Sequence, residues 1–119
     1  MEKENTIVQM TFTFSLKIIN LYKLLTQSRE FVLSKQLLRS ATSIGANVAE
    51  ANAALTKKDF IAKMSIASKE ARETKYWLRL LNESKWIDVD YSEYLTTINH
   101  IINILTKIVK TSQQNGVAK

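Results

Sequence analysis

The chain has 119 residues, with 17 basic and 11 acidic side chains giving a formal charge of +6, and it contains no Cys, no Pro and two Gly. One domain with one core is the expectation at this length, and turn residues this scarce argue against a β-sandwich or barrel and for a few long helices. Without Cys there are no disulfides, thiolate metal sites or thiol nucleophiles, and one His (His100) is too few for a His-rich metal site.

The first helix is predicted over about residues 7–27, where Phe14, Ile18, Leu21 and Leu25 recur at four, three and four. A second line, Phe12, Leu16, Ile19 and Tyr22 with Leu24 nearby, widens the stripe. Met10, Phe12, Phe14 and Leu16 also alternate with Thr11, Thr13 and Ser15 as a strand would, but a lone strand has no partner here, so helix is preferred. Lys17, Asn20 and Lys23 mark the wet side.

The second helix, about residues 30–54, keeps Leu37, Ala41, Ile44, Val48, Ala51 and Leu55 on one face. Its intervening residues are small, so a neighbouring helix can approach closely. Gly45 inside a helix costs up to about 1 kcal/mol relative to Ala, which close packing or a bend would offset. The third helix, about residues 57–84, opens with Thr56 as N-cap and Asp59 completing a capping-box variant, flanked by Leu55 and Phe60 at staple positions. Phe60, Met64, Ala67, Ala71, Thr74, Leu78 and Leu81 form an unbroken seam. The fourth helix, about residues 91–111, follows a capping pair of Asp90 and Glu93, with Val89 and Tyr94 at staple positions. Tyr91, Leu95, Ile98, Ile102, Leu105 and Val109 form one stripe, and Ile101, Ile104 and Ile108 a second. Residues 112–119 read as a frayed polar tail.

Four helices with short connections predict an all-α fold, an antiparallel up-down four-helix bundle in a single domain. A corner helix needs an apolar arc of roughly 100°, and the first and fourth helices exceed it. Leaving those side chains exposed forgoes about 1.5–3 kcal/mol each, so a homo-oligomer formed through the surplus faces is expected. The acidic start, Met1-Glu2-Lys3-Glu4-Asn5, is unlike a secretory signal. No uncharged window approaches the roughly 20 apolar residues of a membrane span, so a cytoplasmic location is expected.

Catalytic groups are sparse. Glu50, Glu70, Glu73 and His100 lack the Glu-x-x-His pairs of a di-iron bundle, and no Gly-rich phosphate loop is present. No enzyme activity, cofactor or metal is expected. Ser40, Ser43, Asn47 and Glu50 form a polar stripe on the second helix. They read either as a register-setting cluster bonded to another helix, through Arg39, Arg72 or Tyr76, or as a ligand or subunit contact. On the third helix Lys58, Ala62, Ser65, Lys69, Arg72, Tyr76 and Arg79 align opposite the apolar seam, which suits a phosphate backbone with Tyr76 available to stack. The same stripe is also what an ordinary solvated face looks like. Charge is clustered: between Thr56 and Asn82 seven basic residues face three acidic ones.

The stretch from Gln36 to Glu50, QLLRSATSIGANVAE, and the block DFIAKMSIASKEARETKYWLRLL from Asp59 to Leu81 resemble a bacterial four-helix-bundle family. Its members are ribosomal-protein-like, and some are encoded in intervening sequences of large-subunit ribosomal RNA genes. Much of that family has Pro where this chain has Gly45 and Gly where it has Ala51. The family is in turn similar to the accessory protein of diversity-generating retroelements, a pentameric barrel that binds nucleic acid and a reverse transcriptase. The resemblance implies a pentamer without enzyme activity, and it marks Arg39, Ser43, Asn47, Glu50, Glu70 and Glu73 as recurring positions. The expectation is therefore a non-catalytic oligomer binding RNA or DNA through basic helix faces, with Lys58, Lys69, Arg72, Tyr76 and Arg79 in contact. The alternative is a structural or protein-interaction module whose basic face only solubilises it.

Overall fold

The computed structural model describes the backbone of residues 2–117 and the side chains of residues 6–114. It contains α1 (Glu2–Gln27), α2 (Leu33–Asn52), α3 (Lys57–Ser84) and α4 (Ser92–Val117), and no strand among the described residues. Each helix packs on its neighbours in the chain, and the slightest contact is between α1 and α4. Short connections turn each helix back on the last, so the all-α chain forms an up-down bundle, a rod of 52 × 22 × 22 Å.

The predicted seams fill the core. Phe14, Ile18, Leu21 and Leu25 of α1 meet Leu37, Ala41, Ile44, Val48 and Ala51 of α2 within one cluster. Met64, Ala67, Ala71, Leu78 and Leu81 of α3 and Tyr91, Ile98 and Leu105 of α4 complete it. The strand-like alternation in α1 has a helical explanation. Thr11 is buried and its hydroxyl donates to the Ile7 carbonyl at 2.8 Å, and Ser15 donates to Thr11 at 3.0 Å. Hydroxyls that bond back one turn are absorbed by the helix and free no backbone for a strand.

Several sequence expectations need correction. α1 and α2 differ from their predicted starts, beginning at Glu2 and Leu33. α2 stops at Asn52, so Leu55 lies in the connection with 99% of its surface exposed. It therefore neither extends the α2 stripe nor forms a staple with Phe60. α4 continues to Val117, through most of the predicted frayed tail; Ala118 and Lys119 lie outside the described residues. Of the two terminal helices, only α1 shows the expected apolar surplus. Phe12, Leu16, Ile19 and Leu24 are exposed, whereas Ile101 and Ile108 of α4 are buried and Ile104 packs against the core.

The α1–α2 connection is closed by residues that single-position propensities do not flag. Arg29 adopts φ 65°. Its N–H donates to Thr26 O at 3.0 Å and that of Glu30 to Leu25 O at 2.9 Å, a Schellman ending without glycine. The Glu30 carboxylate then accepts from the N–H groups of Val32 (3.2 Å), Leu33 (2.7 Å) and Ser34 (2.7 Å). Glu30 is 7% exposed. A buried anion is tolerable there because it satisfies the orphan donors of α2 and lies at the positive end of its dipole. Nearby, the buried Tyr91 hydroxyl has no hydrogen-bond partner among the described residues. Burial, and secondarily the charge of Glu30, raise its pKa.

Candidate nucleic-acid interface

Helical spacing places Lys69, Arg72, Tyr76 and Arg79 on the outward side of α3, and all four are exposed. Arg72 Nη2 donates to Thr106 Oγ1 of α4 at 3.3 Å, which sets the guanidinium across the α3–α4 groove. Arg79 Nε donates to Glu83 one turn on at 2.9 Å, so part of its charge is compensated. Between the two helices is a cleft of about 330 Å³ lined by Arg72, Lys75, Tyr76, Arg79 and Ile102. Lys69, Arg72 and Lys75 have no carboxylate partner among the described residues.

Lys58 falls outside this site. It is exposed on the same line of α3, but fourteen residues before Arg72, which is about 21 Å along the axis at 1.5 Å per residue. Lys75 and Thr106 are the residues that the sequence reading missed. Lys75 stands three residues after Arg72 and four before Arg79, a spacing that marked it as their neighbour. Thr106 carries no such signal, because only the packing of α4 on α3 brings it to Arg72. Ile102, read as part of the core stripe, is half-buried and gives the cleft an apolar wall.

Tyr76 is 56% exposed. Its ring lies 5.1 Å from that of Trp77, centroid to centroid, with the planes at 72°. Trp77 is half-buried and its Nε1–H donates to Glu73 Oε2 at 3.0 Å. That bond is the main cause of a Glu73 pKa below the ordinary carboxylate value; partial burial opposes it and Arg39 adds to it. Glu73 in turn is paired with Arg39 Nη2 of α2, and Arg39 Nη1 reaches Glu70 Oε2 at 3.1 Å.

The recurring polar positions thus form a ladder between α2 and α3 and are not one cluster. Arg39 bridges Glu70 and Glu73, and Glu50 faces Lys63 at 3.5 Å. Asn47 donates to the Ser43 carbonyl of its own helix at 2.9 Å. The buried cross-link is Thr74 Oγ1 donating to Ser40 Oγ at 2.9 Å. Of the three partners anticipated for this stripe, only Arg39 takes part in the ladder; Arg72 and Tyr76 line the cleft toward α4.

Among the described residues, no group of three or more His, Cys, Asp or Glu is placed to hold a metal ion. His100 is exposed. No described helix is long and apolar enough to cross a membrane.

Comparison with known proteins agrees with the fold. A solved structure from Bacteroides thetaiotaomicron, a protein of unknown function from the S23 ribosomal protein family, is 44% identical and superposes with a TM-score of 0.85. The match covers 91% of this chain and 98% of that one. No curated protein matches. The sequence profile of the 23S rRNA-intervening sequence proteins matches residues 3–107, nearly the whole bundle. With the profile spanning nearly the whole bundle and the solved relative in agreement, the chain belongs to the 23S rRNA-intervening sequence protein family.

Proposed function

We propose that this protein is a non-catalytic homo-oligomer that binds nucleic acid through the basic face of α3 and α4. The observation carrying this reading is the α3–α4 cleft, where three cations and an exposed tyrosine of α3 line it together with an apolar residue of α4. Phosphate neutralisation by Lys69, Arg72 and Lys75 supplies affinity, and repetition of the face around an oligomer multiplies it. The apolar line of α1 supports self-association: Phe12 and Leu16, 62% and 50% exposed, are large side chains whose burial is worth about 1.5–3 kcal/mol each. A second copy of this chain is the occupant proposed for that line, and the family resemblance favours a ring of five.

The test is binding of labelled RNA and DNA at rising salt. Affinity should fall steeply between about 50 and 200 mM, and the pair Lys69→Glu and Arg72→Glu should abolish binding with helicity unchanged. Absence of binding at low salt would overturn the reading. A second reading, a protein-interaction module with a merely solubilising basic face, is favoured by the same exposed α1 line, and it predicts self-association with no salt-sensitive polyanion binding.

A further inference from the structure

The cleft between α3 and α4 holds more than a phosphate site requires. Arg72 and Lys75 would serve a phosphate backbone on a flat helix face. Here they border an open groove of about 330 Å³ between the two helices. One side is the Tyr76 ring and another is the aliphatic side chain of Ile102. The Ile side chain adds nothing to phosphate binding and the Tyr ring only its hydroxyl, and both suit the face of a planar heterocycle. The Tyr76 ring is also held in place. Trp77 meets it in a T-shaped contact with 5.1 Å between ring centroids, and Trp77 itself bonds Glu73. A platform ordered before binding loses little side-chain freedom when a ring stacks on it.

We propose that this cleft selects single-stranded over double-stranded nucleic acid, seating one unpaired base against Tyr76 and Ile102 while Arg72, Lys75 and Arg79 hold the flanking phosphates. This deepens the nucleic-acid reading above and rests on it. In a duplex the bases are already stacked on one another and their faces cannot reach the cleft, so only the cations would contribute. Stacking on an aromatic face is tolerant of sequence because every base has one, so the preference is for strandedness and not for a particular base.

The test uses the full chain with Trp86→Phe as background, leaving Trp77 as the sole tryptophan. Binding of an oligouridylate of about 12 nucleotides is compared with a duplex RNA of equal length at about 50 mM salt. The single strand should bind more tightly and change the Trp77 emission, while the duplex should leave that emission unaltered. Tyr76→Ala should weaken the single strand about tenfold and leave the duplex nearly unchanged, and Tyr76→Phe should retain the preference. Tyr76 is largely exposed, so its truncation does not threaten the fold, and the unchanged duplex affinity is the internal control. If both nucleic acids bind equally and Tyr76→Ala alters neither, strand selection is overturned while polyanion binding stands. If neither binds, the reading under Proposed function falls together with it.

Discussion

The outer face formed by α1 and α2 and the one formed by α3 and α4 lie on opposite sides of the bundle, and they differ in their surface chemistry. On the first, small residues let two helices approach: a Cβ at Gly45 would lie 3.3 Å from Ser15 Oγ and 3.4 Å from the Thr11 carbonyl oxygen. The shallow groove that results, about 310 Å³, is lined by Val8, Phe12, Ala46 and Ala49 among others, and beside it Leu16 and Ile19 are exposed. On the second, α4 packs its isoleucines against the core, and the outward line of α3 carries Lys69, Arg72, Tyr76 and Arg79, with Ile66 and Leu80 also exposed on that helix. The apolar line of α1 and the basic line of α3 thus lie on different faces, although the exposed Lys23 continues the α1 line four residues after Ile19 and self-association there has to accommodate its charge.

The most damaging change to this division should be Phe12→Glu with Leu16→Glu. It replaces two large exposed apolar groups by carboxylates, and light scattering should fall from an oligomer to the 13.6 kDa chain with helicity retained. A wild-type mass of 13.6 kDa would remove the assigned role of the α1 face. Next in size is Lys69→Glu with Arg72→Glu on the opposite face. Polyanion affinity should drop on the order of 100-fold at low salt, with the mass in solution unchanged. Coupled loss of mass and binding in either pair would show that the two faces are not independent.

The end of the bundle where α1 turns into α2 supplies the third prediction. Glu30→Ala leaves the N–H groups of Val32, Leu33 and Ser34, the last of them buried, without their acceptor and should cost about 2–3 kcal/mol, roughly 10 °C in Tm. A shift under 2 °C would mean that water replaces the carboxylate without loss.

A smaller effect is expected at Glu73, the residue linking the α2–α3 ladder to Trp77. Its pKa is lowered in the fold, so the unfolded chain binds the proton more readily. The stabilisation is complete above the ordinary carboxylate pKa and is lost as pH falls through the lowered value. Glu73→Gln should therefore flatten the acid limb of a Tm-against-pH curve and shift Trp77 fluorescence, with little change near neutrality. An acid limb identical to wild type would place the pH dependence elsewhere. Smallest of all is Gly45→Ala. Better helix propensity, up to about 1 kcal/mol, is opposed by the 3.3 Å approach to Ser15, and the net change should stay within about 1 kcal/mol. Gly45→Leu has no room in the α1–α2 contact and should destabilise clearly, a contrast that thermal melts of the two variants measure.

Four helices, their seams and the Thr56 cap were legible in the sequence because each is local. Thr56 Oγ1 accepts from Asp59 N at 3.1 Å as the capping motif requires. The start of α2 was not legible: its cap is Glu30, three residues before the first helical position, and Val32 at the N-cap has no side-chain bond. Propensity rules look for Ser, Thr, Asp or Asn immediately before the helix and pass over a glutamate that reaches forward. Within the site, the α3 line was visible as periodicity, while Ile102 and Thr106 were hidden because their part depends on how α4 is rotated against α3.

Spacing along the chain determined by itself that the protein is helical, where three of its seams end and which side of α3 is charged, since each follows from the 3.6-residue turn and the side chains on it. Whether an apolar residue outside the seam is buried was decided only by tertiary packing. Phe12 of α1 and Ile101 of α4 are equally greasy and equally placed on second stripes, yet the first is exposed and the second wholly buried. The reason is geometric: how a helix is rotated about its own axis against its neighbours decides which of two adjacent stripes meets the core, and that rotation is not written in the spacing of its own residues.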